Sequence, residues 1–178
     1  MCPLTSDLTA RAKAIRLLVL DVDGVMTDGR LYYADNGVEL KAFDIQDGLG
    51  LRMLGASGVS IAVISGRRSH ALELRAQNLG LVHVFQGVSD KLAVFEQILT
   101  RFALKASAAA AIGDDLPDLP VLRRCGLAVC VPAAPGLIRD HAHYVTQHAG
   151  GRGALRELCE LIMTAQGTLE AQLHEFMK

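Results

Sequence analysis

The chain has 178 residues, of which 51% are hydrophobic and 21% charged, and this balance favours one globular domain with a substantial core. The formal net charge of −1 gives no electrostatic reason to expect nucleic acid or an anionic membrane as a partner, and no apolar run reaches the ~20 residues that span a bilayer. The four cysteines form no C-x-x-C pair, which is typical of thiols in a reducing compartment, so we expect a cytoplasmic protein.

The N-terminal part of the chain predicts a helix, a buried strand and a hairpin. Residues 1–16 form a short helical lead-in, with Asp7 as its cap. Four apolar residues without polar alternation, Leu17–Leu20, indicate a strand buried on both faces, as in a parallel sheet. A hairpin is predicted over about 28–43, because an Asn-Gly pair at 36–37 supplies the positive φ of a tight turn. We call it the flap hairpin.

Beyond the flap hairpin, predicted helices and strands alternate along the chain. Helices are predicted at about 49–56, 69–78, 90–102, 119–124 and 154–164, and strands at 59–64, 81–85, 108–112, 127–131 and 143–146. Such alternation is typical of an α/β fold with a doubly wound, Rossmann-like parallel sheet. The chain has no internal repeat or linker, so residues 1–178 are predicted as one domain that ends in a C-terminal tail at about 167–178.

Polar side chains follow three of the predicted strands. Asp21 and Asp23 follow the first strand, Ser65 follows the second, and Asp114 follows the strand of small residues. The carboxyl ends of parallel strands share one edge of the sheet, where ligands bind in open α/β folds. Carboxylates spaced i and i+2 raise each other's pKa unless a cation lies between them. Three carboxylates can ligate one hard divalent cation, and Mg²⁺ suits oxygen ligands with a phosphate completing the shell.

The neighbouring groups suit a phosphoryl ligand. The Ser65 hydroxyl and the amides after it, at a helix start, can donate to phosphate oxygens, and Lys91 can stabilise phosphoryl charge. One Asp carboxylate can attack phosphorus, and a second one two residues on can protonate the leaving oxygen and then activate water. Taken singly, Ser65 is more typical of a helix cap and Lys91 of a solvated helix charge. Their conjunction with the acids favours a phosphoryl-transfer site.

Four segments resemble the four motifs of the haloacid dehalogenase-like phosphatases: Asp21-Val22-Asp23-Gly24-Val25, Ile64-Ser65-Gly66-Arg67, Lys91, and Gly113-Asp114-Asp115 with Asp118. The resemblance implies that Asp21 is the nucleophile and Asp23 the acid/base. It implies that Ser65 and Lys91 hold the phosphoryl group. It also implies that Mg²⁺ is bound by the Asp21 side chain, the Asp23 main-chain carbonyl and Asp114. Asp115 and Asp118 would have supporting or structural roles.

Other segments resemble a narrower group of these phosphatases, which hydrolyses the 8-phosphate of an eight-carbon 3-deoxy sugar acid in lipopolysaccharide precursor synthesis. They are Asp28-Gly29, the flap hairpin, Lys41-Ala42-Phe43, Asp47-Gly48-Leu49-Gly50, residues 114–121 and residues 150–157. This likeness runs from about residue 15 to residue 167. One departure is Asp44, where Asn is expected, and it adds a negative charge near an anionic substrate.

A substrate with both a phosphate and a carboxylate requires additional cations near the site. Arg67 directly follows the Ser-Gly turn and is the first candidate, whereas Arg52 and Arg75 rest partly on the resemblance and are singly more typical of surface charges. The turn from Asp44 to Gly48 is expected to contact the sugar. The predicted substrate-binding residues are Asp23, Asp44, Ile45, Gln46, Asp47, Gly48, Arg52, Ser65, Gly66, Arg67, Arg75 and Lys91.

The spacing between the motifs leaves no room for a cap domain. Between Asp23 and Ser65 there is space only for the flap hairpin and one helix, and between Lys91 and Gly113 only for one helix and one strand. Hydrolysis through an aspartyl-phosphate benefits from a sheltered site. The resemblance implies a ring-like homotetramer in which a neighbouring subunit covers the site and the C-terminal tail reaches a neighbour. The alternative is a disordered C-terminus over 170–178.

The sequence therefore favours a Mg²⁺-dependent phosphomonoesterase acting on an eight-carbon sugar-acid 8-phosphate. Two alternatives stay open. One is the same chemistry on a nine-carbon, sialic-acid-type 9-phosphate. The other is a non-catalytic phospho-acceptor or regulatory domain, which needs a stable aspartyl-phosphate, whereas Asp23 favours rapid hydrolysis.

Overall fold

The computed structural model describes residues 5–178, and the first four residues of the predicted lead-in lie outside this range. In chain order the strands are β1 (Leu17–Leu20), β2 (Tyr32–Tyr33), β3 (Glu39–Leu40), β4 (Ser60–Ser65), β5 (His83–Gln86), β6 (Ala109–Gly113), β7 (Leu127–Cys130) and β8 (Tyr144–Val145). The α-helices are α1 (Ser6–Ala14), α2 (Ile45–Ala56), α3 (His70–Leu79), α4 (Lys91–Phe102), α5 (Leu119–Leu122), α6 (Gly136–Asp140), α7 (Ala154–Gln166) and α8 (Leu169–His174).

Six strands form one parallel sheet in the order β5-β4-β1-β6-β7-β8, which confirms the predicted α/β fold class. All four residues of β1 are buried, as their unbroken apolar run predicts. The chain passes from β1 to β4 on one side and later returns to β6 on the other. The carboxyl end of β1 is therefore a topological switch point, the place where open α/β sheets bind ligands.

The core lies between this sheet and the flanking helices. Helix α7 packs against both α1 and α2, and α4 packs against α5. Strand β6, next to β1, is buried throughout and consists of small residues apart from Ile112, and Phe95 of α4 is the largest completely buried side chain. Among residues 5–178, no helix has the length and apolar character needed to cross a membrane.

Helix caps explain the largest difference from the predicted element boundaries, which is at the start of α2. Helix α1 is capped by the Thr5 hydroxyl, which accepts from the Leu8 amide at 3.3 Å, and not by Asp7. Helix α2 begins at Ile45 instead of residue 49, because the Asp44 carboxylate accepts from the second and third amides beyond it and caps the helix. Helix α4 is capped by Asp90.

Two short helices were missing from the predicted elements. Helix α6 follows a Pro135 and is only five residues long, too short for an amphipathic period to be visible in the sequence. Helix α8 occupies much of the predicted C-terminal tail, and none of its residues is fully buried. The flap hairpin forms from β2 and β3, which pair antiparallel with Tyr32 opposite Leu40.

Candidate active site

The carboxyl ends of three neighbouring strands bring the predicted acids and the serine to one edge of the sheet. Asp21 directly follows β1, and its amide donates to the Ile112 carbonyl of β6 at 3.1 Å. Ser65 is the last residue of β4, and Asp114 directly follows β6. The buried parallel register therefore delivers these three side chains to one place, as the sequence predicts.

Lys91, the first residue of α4, bridges two carboxylates at this edge. Its Nζ donates to Asp21 Oδ1 at 2.6 Å and to Asp118 Oδ1 at 2.7 Å, and its side chain is only 7% exposed. Burial alone would lower the pKa of Lys91, but the charges of the two carboxylates outweigh burial and raise the pKa. The ammonium group therefore stays charged, and it fixes the position of Asp21.

The carboxylates of Asp21, Asp114 and Asp118 are crowded, with one oxygen from each within 4.8 Å of the others. Burial, followed by the charge of Asp118, raises the pKa of Asp21 to about 6. Burial and the charges of Asp21 and Asp118 raise the pKa of Asp114 to about 8. From the sequence we expect Asp21 and Asp23 to raise each other's pKa. In the structure, the acids next to Asp21 come instead from the segment after β6.

This cluster is suited to a divalent cation with oxygen ligands. Asp118 is already engaged, because its Oδ1 accepts from Lys91 and its Oδ2 accepts from the amides of Asp114 and Asp115 at 3.1 and 3.3 Å. Asp118 is therefore fixed by hydrogen bonds, and the supporting role that the resemblance implies for it stays a prediction. The negative charges of Asp21 and Asp114 are less fully compensated than that of Asp118. A divalent cation beside them would offset the free-energy cost of burying two ionised carboxylates.

Gly24 permits the close approach of Asp114 to the loop after β1. Its φ of +89° lies in the left-handed region, and a Cβ at this position would lie 2.0 Å from Asp114 Oδ2. Any larger residue would displace the carboxylate. The Asp-x-Asp-Gly sequence thus supplies both the acids and the space in which the third acid lies.

The carboxylate of Asp23 faces a different set of partners. It forms an ion pair with Lys41, which follows β3, and lies 3.7 Å from Nε of Arg67. Glu39 of β3 contacts both cations, with Lys41 Nζ at 3.0 Å. The two residues of the Asp-x-Asp pair therefore point to two separate charge clusters, one held by the sheet and one held by the flap hairpin.

The Ser65-Gly66-Arg67 turn lies beside both clusters. Ser65 is buried, its Oγ accepts from the Arg67 amide at 3.2 Å, and its carbonyl accepts from the Val88 amide at 3.0 Å. These bonds fix the turn between β4 and α3. The Arg67 side chain is half exposed and reaches Glu39, so this cation does lie at the site.

The predicted sugar-contacting turn, Asp44 to Gly48, is the cap and first turn of α2. Ile45 and Gln46 are exposed at this helix start. Asp47 is buried and accepts from the amides of Gly153 and Arg156 at 3.2 and 2.7 Å, so it caps α7. Burial is the largest cause of its raised pKa. Asp47 therefore has a structural role at the start of α7, and its contact with the substrate stays a prediction.

The other two predicted arginines are both associated with α2, at different distances from the site. Arg75 packs against Gly48, and its Nη2 donates to the Asp44 carbonyl at 2.8 Å, so it supports the start of α2. Arg52 lies on α2 about 10 Å beyond its start at 1.5 Å per residue. It lines a surface groove of about 440 Å³ with Ser60 and His83, the first residues of β4 and β5. That groove is at the opposite end of the sheet, away from Asp21.

A glycine segment before α7 braces the catalytic loop. The Gly151 amide donates to the Val25 carbonyl at 2.9 Å, and a Cβ on Gly150 would lie 1.7 Å from the Gly24 carbonyl oxygen. The segment is anchored by Glu157, whose carboxylate accepts from the Tyr144 hydroxyl at 2.5 Å and from two loop amides. Sequence reasoning used this segment only as part of a resemblance and missed its contact with the site.

The architecture and the acid cluster together define the class of this protein. The sequence profile of the haloacid dehalogenase-like hydrolase family matches residues 70–158, which contain Lys91, Asp114 and Asp118. The chain belongs to this family, and the resemblance drawn from its four motifs is confirmed.

Similar proteins of known name show to which group of these hydrolases the chain belongs. The 3-deoxy-D-manno-octulosonate 8-phosphate phosphatase of Yersinia pestis is 49% identical over 168 residues, covering 94% of this chain and 90% of the relative. The enzyme of the same name from Escherichia coli K12 is 46% identical, with coverage of 94% and 89%. A solved structure from Moraxella catarrhalis, described as the same phosphatase in complex with magnesium, phosphate and KDO, matches with a TM-score of 0.95 at 41% identity, covering 97% of this chain and 99% of that one. Within the hydrolases, the chain belongs to the family of these phosphatases.

Proposed function

We propose that this protein is a Mg²⁺-dependent phosphomonoesterase that hydrolyses 3-deoxy-D-manno-octulosonate 8-phosphate to 3-deoxy-D-manno-octulosonate and phosphate. The observation that carries the proposal is the placement of Asp21 at the sheet's switch point, held by the buried ammonium of Lys91 and next to Asp114. Relatives named for this reaction align with 94% of the chain. The reaction belongs to lipopolysaccharide precursor synthesis.

Asp21 acts as the nucleophile. Lys91 holds its Oδ1, which leaves Oδ2 to attack phosphorus. The new bond joins this oxygen to phosphorus, the bond between phosphorus and the sugar oxygen breaks, and Asp23 gives its proton to the departing oxygen. Asp23 then takes a proton from a water molecule that attacks the aspartyl-phosphate. This second displacement releases phosphate and restores the Asp21 carboxylate.

Three oxygen donors would hold the cation: the side chains of Asp21 and Asp114 and the main-chain carbonyl of Asp23. When bound, Mg²⁺ supplies positive charge that offsets the phosphoryl group and the nucleophile. Ser65, the amides of Gly66 and Arg67, and Lys91 would bind the phosphoryl oxygens. Arg67 is the arginine at the site and would read the substrate carboxylate. Asp44, Ile45 and Gln46, at the exposed start of α2, stay as predicted contacts with the sugar.

A homotetramer would complete the sheltered site that this chemistry needs. The flap hairpin exposes large apolar side chains close to Asp23: Leu31, Tyr32, Tyr33, Val38 and Leu40. Exposed apolar surface of this kind is typical of an interface between subunits. We propose that flap hairpins pack together and that the C-terminal tail reaches a neighbouring subunit. Light scattering on the purified protein measures the assembly directly, and a monomeric mass would exclude it.

We also propose a cytoplasmic location. In the described part of the chain the cysteines Cys125, Cys130 and Cys159 are buried, unbridged thiols, which suits a reducing compartment. A fractionation experiment with a tagged protein measures this location, and recovery in the periplasm would contradict it.

The test of function is phosphate release from a substrate panel, with Mg²⁺ or with EDTA. The panel contains the eight-carbon sugar-acid phosphate, nine-carbon sialic-acid-type 9-phosphates, hexose 6-phosphates and p-nitrophenyl phosphate. We expect metal-dependent turnover with strong preference for the eight-carbon compound. Preference for a nine-carbon acid would keep the mechanism and change the substrate. An absence of turnover with every compound in Mg²⁺ would favour a phospho-acceptor or regulatory domain.

A further inference from the structure

We propose that Lys41 is a positioning residue that fixes the Asp23 carboxylate for proton transfer to the leaving sugar oxygen and then from the attacking water. The proposal rests on the proposed function, in which Asp23 is the acid/base. Lys41 is placed by the flap hairpin, so the same contact couples this hairpin to the catalytic loop.

The burial of Lys41 is the first argument. Its side chain is only 2% exposed, although it follows a hairpin whose strands are largely exposed. Burying an ammonium group is costly unless carboxylates compensate its charge. Asp23 and Glu39 provide that compensation, and both are in contact with Nζ. A lysine that merely decorated an exposed hairpin would extend into solvent.

The second argument is the closed arrangement of four charges. Lys41 contacts Asp23 Oδ1, whereas Arg67 Nε lies 3.7 Å from Asp23 Oδ2, too far for a hydrogen bond, so Oδ2 is the oxygen that can carry the transferred proton. Glu39 contacts both cations from the opposite side. With Asp23 ionised, the two carboxylates balance the two cations, so the group holds the plane of the Asp23 carboxylate without adding net negative charge near an anionic substrate.

The third argument concerns the division of labour between the two cations. Arg67 is 45% exposed, so its guanidinium group can also bind a ligand. Lys41 is enclosed between two carboxylates, and its ammonium group is committed to them. Lys41 therefore acts through Asp23, whereas Arg67 is the cation that is available to the substrate.

The test compares three substrates that differ in their need for an acid. They are the eight-carbon sugar-acid phosphate, a hexose 6-phosphate without a carboxylate, and p-nitrophenyl phosphate. A sugar alkoxide must be protonated as it leaves, whereas p-nitrophenolate is a good leaving group without a proton. Since kcat/KM reports the first displacement, we expect Lys41→Met to lower kcat/KM roughly 10- to 100-fold for both sugar phosphates and much less for the aryl phosphate.

Matched variants separate positioning from other effects. Lys41→Arg keeps a cation and should recover part of the lost activity on both sugar phosphates. Lys105→Met removes an exposed lysine next to a groove formed with Ser107 and Arg124, away from the acids, and should leave all three substrates unchanged. Asp23→Asn with Lys41→Met should be no slower on the hexose phosphate than Asp23→Asn alone, because Lys41 acts through Asp23. Where Lys41→Met does not fold, Glu39→Gln loosens the same contacts and should shift the substrates in the same order.

Three results would overturn the proposal. A loss confined to the sugar acid would make Lys41 a ligand of the substrate carboxylate. An equal loss on all three substrates would indicate a general defect of the fold or of phosphate binding. If the losses of activity from Asp23→Asn and Lys41→Met added up in the double variant, Lys41 would act independently of Asp23. A wild-type enzyme that hydrolyses the hexose phosphate but not the sugar acid would overturn the proposed substrate alone, because the hexose and aryl arms still test Lys41.

Discussion

The two aspartates of the Asp-x-Asp pair are only two residues apart, yet two different parts of the molecule hold them. Asp21 is fixed by the sheet and by Lys91 of α4, among side chains that are almost completely buried. Asp23 is fixed by Lys41 and Arg67, and its cluster depends on the exposed flap hairpin. The proposed nucleophile is thus part of the core, whereas the proposed acid/base is attached to a hairpin whose strands are largely exposed.

The difference extends to the balance of charge. The Asp21 cluster contains three carboxylates and one lysine, so it has an excess of negative charge until a cation binds. The Asp23 cluster contains two carboxylates and two cations, so it is balanced by itself. Metal binding should therefore change the stability and geometry of the first cluster far more than those of the second.

The largest effect should come from changing Asp21, the proposed nucleophile. Asp21→Asn replaces the attacking oxygen by an amide and should reduce phosphate release by a factor on the order of 10⁴ or more. The fold should persist, because the amide still fits beside Lys91. Turnover with the eight-carbon substrate measures the loss, and circular dichroism checks the fold. Substantial residual turnover in this variant would remove Asp21 from its role.

Lys91→Met should combine a loss of activity with a loss of stability. It leaves Asp21 and Asp118 buried without their shared cation, and such uncompensated pairs cost about 3–5 kcal/mol. Denaturant unfolding measures this cost, and Lys41→Met is the matched comparison because its cluster is nearer the surface. We expect the free energy of unfolding to fall more for Lys91→Met than for Lys41→Met. A larger loss of stability for Lys41→Met would contradict the view that the Asp21 cluster belongs to the core and the Asp23 cluster to the exposed hairpin.

The position of the Asp21 cluster at the edge of the sheet was predictable from the sequence. The partners that the flap hairpin supplies to Asp23 were not. An unbroken run of four apolar residues identifies a buried parallel strand, and acids directly after it indicate a ligand site, because ligands bind at the carboxyl ends of such strands. The partner of Asp23 depends on how a hairpin folds back over the sheet, which has no local signature. The placement of Arg52 and Arg75 could not be predicted for a similar reason: the sequence gives their charge, but not that Arg52 lines a groove at the far end of the sheet while Arg75 contacts the start of α2.

The charge imbalance of the first cluster should make the metal-free protein sensitive to pH. The pKa values of Asp21 and Asp114 are raised from 3.8 to about 6 and about 8, so the folded state holds these protons more tightly than the unfolded state does. The contribution of these two groups to stability is therefore greatest below about pH 4 and is lost as the pH rises through about 6 and about 8. Melting temperatures in EDTA between pH 5 and pH 8 should fall by several degrees.

Two controls locate this effect in the acid cluster. Asp114→Asn should flatten the decline, since it removes the acid whose pKa is raised the most. Mg²⁺ binds the ionised carboxylates, so its stabilising effect should increase as the pH rises. A melting temperature in EDTA that rises steadily from pH 5 to pH 8 would contradict the assigned direction of both pKa shifts.

Deleting residues 168–178 should have the smallest effect on stability. The same deletion tests whether the C-terminal tail contributes to the site of a neighbouring subunit. No residue of α8 is fully buried, and Phe176 and Met177 are exposed, so the deletion should change the free energy of unfolding by no more than about 1 kcal/mol. If the C-terminal tail reaches a neighbouring subunit's site, turnover should change while stability does not. Steady-state kinetics of the full and shortened chains, at equal oligomeric state by light scattering, separate the two effects. Unchanged kinetics would show that the tail takes no part in catalysis, and the closure of the Asp23 cluster would then depend on the flap hairpins alone.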